Sequence, residues 1–203
     1  MRREPATMSL IDDATKLELT AMYNAAGRFY HTRAHVDSLL ALLEKHREVF
    51  HDAEAVEAAV WFHDAIYDSR AKDNEAKSAE LAAERLAPSV GEQRLSRIRA
   101  MIEATTTHSV PEVSDPRHRA DLEMFLDMDL SVLAAEPDVF DAYEAAVREE
   151  YSWADEGAWR AGRAAVLRSF LDRPTLFFSE LFRRQFEAAA RENLRRSLAR
   201  LGA

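Results

Sequence analysis

Apolar residues recur three, four and seven positions apart along nearly the whole chain, and this periodicity is what most narrows the fold. Leu39, Leu42 and Leu43 share one helical face, as do Leu95, Ile98 and Ile102, and again Leu122, Phe125, Leu126 and Leu133. A strand needs period-two alternation, and a hairpin announces itself by Asn-Gly or Asp-Gly. The 203 residues hold only 5 glycines and neither dipeptide. The chain is therefore expected to be all-α. Helices are expected over about 8–26, 32–49, 52–67, 74–86, 92–107, 119–134, 137–153, 156–171 and 179–201. Gly27 is a natural stop for the first, and Pro88 follows the fourth.

No repeat, low-complexity stretch or linker divides the sequence, so one helical domain over 1–203 is expected. Residues 1–7 read as a flexible extension, and 179–203 as a C-terminal amphipathic helix packed on the domain. Apolar residues at 47% and charged residues at 31% suit a chain that buries a core. A net charge of −9 repels a phosphate backbone, so no nucleic acid is expected as partner. No apolar run reaches membrane-spanning length and no leader-like h-region opens the chain, so the expected location is the cytoplasm. The absence of cysteine excludes disulfides, thiolate nucleophiles and Cys-based zinc sites. Any metal must then be held by His, Asp or Glu.

Three helices each aim such a residue inward. His35 lies four residues before Leu39, and His63 lies three after Val60 and seven after Val56. Asp129 lies seven after Leu122, three after Leu126 and four before Leu133. A carboxylate on an apolar face is costly unless compensated. Asp64 follows His63 about 100° further round the helix, close enough near a helix end to reach the same point. Taken singly, an inward His is more often a hydrogen-bonded core residue, and an inward Asp more often a cap or an arginine partner. Together, two imidazoles and two carboxylates are expected to hold one divalent metal ion. Mn, Fe, Ni, Co or Mg suits mixed nitrogen and oxygen ligands better than zinc does. Water activated by that metal would be the nucleophile.

The order His35, His63-Asp64, Asp129 resembles the H…HD…D signature of the HD superfamily, an all-helical group, and most closely its branch of predicted metal-dependent phosphohydrolases. The resemblance extends over Tyr23-Asn24, Arg28-Phe29-Tyr30-His31, 61–68, 73–75, 125–130, Arg148-Glu149-Glu150-Tyr151 and 190–194. It implies a phosphohydrolase, and it leaves the choice between Asp127 and Asp129 to periodicity. Periodicity favours Asp129, because Asp127 falls among Glu123, Met124, Leu130 and Ser131. The nucleotide-hydrolysing branches carry a Glu three residues after the His-Asp pair. Here that position is Tyr67, and of the longer H-D-x-x-E-D pattern only Asp68 is kept.

Around this set stand further candidates, each with a plainer alternative. Asp68 can position or deprotonate the attacking water, or simply end the third helix. Glu75 lines up with Ala79, Ala82 and Leu86 and is assigned to the site, while Asn74 beside it is assigned to capping. Arg28, His31 and His108 are candidate substrate contacts: Arg28 as a phosphate grip, His31 as a phosphate donor or a packed ring, His108 as a substrate contact or a helix C-terminal His. His46, His51 and His118 read as surface.

The expected function is hydrolysis of a nucleotide or other small phosphorylated metabolite. The alternative is a catalytically weak metal- and nucleotide-binding module, which the Tyr67 departure favours. A third reading is a helical interaction protein using Arg183, Arg184, Arg191, Arg195, Arg196 and Arg200, but these fit a solvated face behind Phe182, Phe186, Leu194 and Leu198. A terminal helix of this kind also suits a homodimer. No phosphate loop, dinucleotide fingerprint, nucleophile elbow or H-E-x-x-H motif competes.

Overall fold

The computed structural model describes residues 9–202, and among them every regular element is helical. The segment 1–7 and Met8, the expected start of the first helix, lie outside the described residues. Contacts divide the chain into two units. The first holds the residues up to Ala26 together with His31–Phe125, and the second holds Gly27–Tyr30 and the chain from Leu126.

The first unit is built around α3 (Ala53–Phe62), eight of whose ten residues are buried. Helices α1 (Asp13–Tyr23), α2 (Arg33–Lys45), α4 (Asn74–Leu86) and α5 (Glu92–Ala104) all pack against it. Asp52 starts α3 by accepting the Ala55 N–H, as Asp12 starts α1 by accepting that of Thr15. Nearly continuous alanine and valine let the surrounding helices approach it closely. Helix α6 (Pro116–Asp129) begins in this unit and crosses into the second after Phe125.

In the second unit a 3-10 turn (Leu130–Ala134) continues α6, and α7 (Pro137–Glu150), α8 (Glu156–Leu171) and α9 (Glu180–Leu201) follow. Both α7 and α9 pack against the 3-10 turn, and α8 packs on α9. Asn193 of α9 donates to the carbonyls of Leu133 and Ala135, at 2.9 and 2.8 Å, which fastens the turn to the helix. Glu150 is buried and its Oε1 accepts the N–H groups of both Phe29 and Tyr30 at 2.8 Å. Arg163, also buried, is held by Glu144 and Tyr143.

The expected all-α class stands, with shifted boundaries. Helices α4 and α8 have the expected limits. Helix α1 starts five residues later than expected and stops at Tyr23, with Gly27 beyond it at φ +90°. Helix α2 ends at Lys45, and the expected remainder is a 3-10 turn at Arg47–Val49. Helix α5 stops at Ala104, α7 at Glu150, and α9 begins after Ser179, which caps it. The most consequential difference is at α3, which ends at Phe62 rather than near Tyr67. Of the basic residues in α9, Arg191, Arg195, Arg196 and Arg200 sit in ion pairs with Glu187, Glu192 and Asp141. No helix among the described residues is long and apolar enough to cross a membrane.

Candidate metal centre

Helix α3 delivers His63 at its C-cap, and the chain turns away before Asp64. The turn is held by tertiary hydrogen bonds, not by helix propensity. The Tyr23 hydroxyl donates to the Trp61 carbonyl at 3.1 Å and accepts the Asp64 N–H at 3.3 Å. The Ser78 hydroxyl, buried on α4, accepts the Ile66 N–H at 3.0 Å. Leaving the helix lets Asp64 fold back on its neighbour, so that Asp64 Oδ2 lies 3.0 Å from His63 Nε2. His35, in the first turn of α2, brings its Nε2 to 3.1 Å from His63 Nε2 and 3.8 Å from Asp64 Oδ2. Both imidazoles are buried, and the Asp64 side chain is 15% exposed. All three residues belong to the first unit.

The chemistry of this trio is set by one further contact. His63 Nδ1 lies 2.9 Å from the Val60 carbonyl, which can only accept, so Nδ1 carries the proton. On a neutral ring Nε2 is then a bare lone pair, facing a carboxylate oxygen and a second ring nitrogen. A single shared proton can serve one of these pairs and leaves the other repulsive. A cation at the centre satisfies all three. Two ligands about 2.1 Å from a metal and about 90° apart stand about 3 Å from each other, which matches the two shorter separations. A ligating His whose other nitrogen donates to a backbone carbonyl is also the usual way such a ring is oriented. The residues present therefore fit a divalent ion, which His35, His63 and Asp64 could hold together.

A proton on His63 Nε2 can stand where a cation would. Burial by itself would push the Asp64 carboxyl up, but positive charge on His63, His31 and His35 and a hydrogen bond from the protonated His63 hold it well below the usual carboxylate range. Asp64 is thus an anion set among groups that favour its charge. His31 takes part although it is not one of the three converging groups. Its ring stands 6.4 Å from that of His35 and stacks on Tyr67, with centroids 4.2 Å apart and planes 27° off parallel.

The other expected residues are placed as follows. Asp129 and Arg28 belong to the second unit, where Asp129 is half-buried and close enough to help raise the pKa of Tyr143, whose burial is the main cause. Asp127, the second choice as ligand, is fully buried. Its two oxygens accept from the N–H groups of Phe178 and Ser179, at 2.7 and 2.8 Å, and from the Ser179 hydroxyl at 2.6 Å. Those bonds make it an anchor for the start of α9. Asp68 does not end a helix. It is exposed in the loop after α3, its Oδ1 accepts the Arg70 N–H at 2.9 Å, and Asn74 spans its backbone on both sides. Asn74 is therefore no cap; the N-cap position of α4 is Asp73, and Glu75 lies half-buried in the first turn. His108 follows α5 with φ +46°, a left-handed conformation rare outside glycine. His118 is half-buried, with Nε2 fully enclosed, and not on the surface as expected.

Sequence reasoning missed two supports of the centre, the hydroxyl of Tyr23 and that of Ser78. A tyrosine on an otherwise apolar face is the signal that could have found the first, because a buried phenol needs a partner. Set against family models, curated proteins and solved structures, the chain finds no match in any of the three.

Proposed function

We propose that the chain is a metal-dependent phosphohydrolase acting on a nucleotide or another small phosphorylated metabolite. The observation that carries the reading is the convergence of His35 Nε2, His63 Nε2 and Asp64 Oδ2, with His63 locked in the ligating tautomer by the Val60 carbonyl. A divalent ion held there supplies Lewis acidity for a phosphoryl oxygen and for water. The protein's own groups then bind and orient. His31, beside the trio, is the candidate donor to a phosphate oxygen. Glu75 and Asp68 are the candidate proton acceptors, and Arg28 the candidate phosphate grip. The fourth ligand in this reading is Asp129, a choice that rests on spacing and on the resemblance to the HD superfamily. A cytoplasmic location belongs to the same proposal.

The test is elemental analysis of the purified protein, followed by a screen of nucleotides and phosphomonoesters with whichever metal is found. About one metal per chain together with released phosphate supports the reading. No metal after incubation with Mn, Fe, Ni, Co and Mg overturns it. A second reading, a binding module with little turnover, is favoured by one feature: Tyr67 stands where nucleotide-hydrolysing HD proteins carry a glutamate, and its ring is committed to His31. Bound metal with no phosphate released from any substrate would select it.

A further inference from the structure

We infer that Tyr67 is a positioning residue that acts through His31, fixing that imidazole beside the metal centre as a donor to a phosphate oxygen. The inference deepens the phosphohydrolase reading and rests on it. Three observations carry it. The two rings are stacked, 4.2 Å between centroids and 27° between planes, closer and flatter than the His31–His35 and His35–His63 ring contacts. His31 precedes the helix that carries His35, because α2 starts at Arg33 with Thr32 as its N-cap, and the cap has no side-chain hydrogen bond. His31 therefore lies before the helix's own hydrogen-bond ladder, and the stack is a restraint on its ring that the helix does not supply. Tyr67 is itself set by a tied loop. The Ser78 hydroxyl holds the Ile66 N–H on one side, and the Asn74 amide brackets Asp68 on the other.

The arrangement explains an aromatic residue at this position. A carboxylate there would attract the His31 imidazole as an ion-pair partner and would compete with a bound phosphate for its proton. A phenol ring holds the imidazole by its face, so the stack itself occupies neither ring edge. The chemistry selected is therefore an anion that accepts a hydrogen bond at an imidazole edge, a phosphate monoester or its product.

The experiment is a double-mutant cycle on the full chain, read first by inorganic phosphate binding in the presence of Mg2+ and followed on the histidine ring resonances. The metal content of each variant is measured alongside. His31→Ala and Tyr67→Leu are each expected to weaken phosphate binding about 10-fold, and the double variant no more than either alone. Tyr67→Phe keeps the stack and stays within about 2-fold of wild type. Metal content remains at the wild-type level in every variant. The His31 ring signal, shifted by the facing phenol in the wild type, moves toward its free position in Tyr67→Leu. Additive losses in the cycle, or a Tyr67→Leu variant that binds phosphate as the wild type does, overturn the role of Tyr67 while leaving the metal centre intact. A wild-type protein that binds no metal fails at an earlier and separate step, and takes this inference with it. If Tyr67→Leu does not fold, Tyr67→His retains a stacking ring, and Tyr67→Glu decides: unchanged phosphate binding in that variant overturns the inference.

Discussion

The end of α3 places a half-buried aspartate and the end of α6 a fully buried one, and they treat it oppositely. At the end of α6, Asp127 meets donors: two backbone N–H groups and a serine hydroxyl reach its oxygens. At the end of α3, Asp64 meets a ring nitrogen whose proton lies on the far side of the ring, with a second ring nitrogen next to it. The first acid is complete within the protein. The second assembles lone pairs that only a proton or a cation can reconcile. Burial alone does not separate an anchor from a ligand; the character of the facing atoms does.

The largest test of that contrast is at α3. His63→Ala and Asp64→Ala should each take the metal content from about one per chain to near zero and abolish phosphate release, with the helical fold retained by circular dichroism. Metal retained at the wild-type level in both variants would break the contrast from this side. Asp127→Ala should do the reverse, losing about 2–5 kcal/mol of stability in chemical denaturation, because two N–H groups at the start of α9 lose their acceptor, while bound metal is unaffected. Asp129→Ala sharpens the comparison further. As a ligand it should cost metal and little stability, so Asp127 and Asp129, two residues apart, should give opposite signatures.

Asp121 tests an intermediate case. Like Asp127 it is buried and accepts two backbone N–H bonds, from His51 at 2.8 Å and Asp52 at 2.9 Å. Burial nevertheless outweighs those bonds and pushes its carboxyl above the ordinary 3.8. A folded pKa above the unfolded one means that the folded state binds the proton more readily. This contribution therefore falls as pH rises from about 3.8 through the raised folded value and is level above it. Asp121→Asn removes it, so the wild type should gain on the variant as pH is lowered through that window. A difference flat across the same window in urea denaturation would show that the backbone bonds cancel the effect of burial, and one that runs the other way would show that they dominate.

How much of this was legible in the sequence follows from where each helix has an exposed side. Helices α4 and α8 keep a polar face throughout, and their limits were read correctly. The inward face of His35 and His63 was equally readable from Leu39, Val56 and Val60. Along α6, 121–122 and 124–128 are all buried, so periodicity had no wet face from which to measure Asp127. The early end of α3 was illegible for another reason. Ala65, Ile66 and Tyr67 continue a helical pattern, and the turn is imposed by hydroxyls 41 and 12 residues away in sequence. Spacing can nominate ligands, but the tautomer that would let His63 serve as one depends on a carbonyl contact that sequence alone does not display.

The smallest expected effect concerns His108, which holds a left-handed backbone at φ +46° where a glycine would carry no steric cost. Strain of this kind persists where something else over-determines the position. If His108 is kept for its imidazole, His108→Gly should leave stability unchanged or raise it by up to about 1 kcal/mol, since relieved strain offsets the larger entropy of the unfolded chain. Phosphate binding should weaken in the same variant while metal content stays constant. His108→Asn keeps a residue tolerant of this conformation but removes the ring, and it should reproduce the binding loss without the stability gain. A His108→Gly protein that is distinctly less stable, with phosphate binding intact, would assign the ring to packing and remove His108 from the candidate substrate contacts.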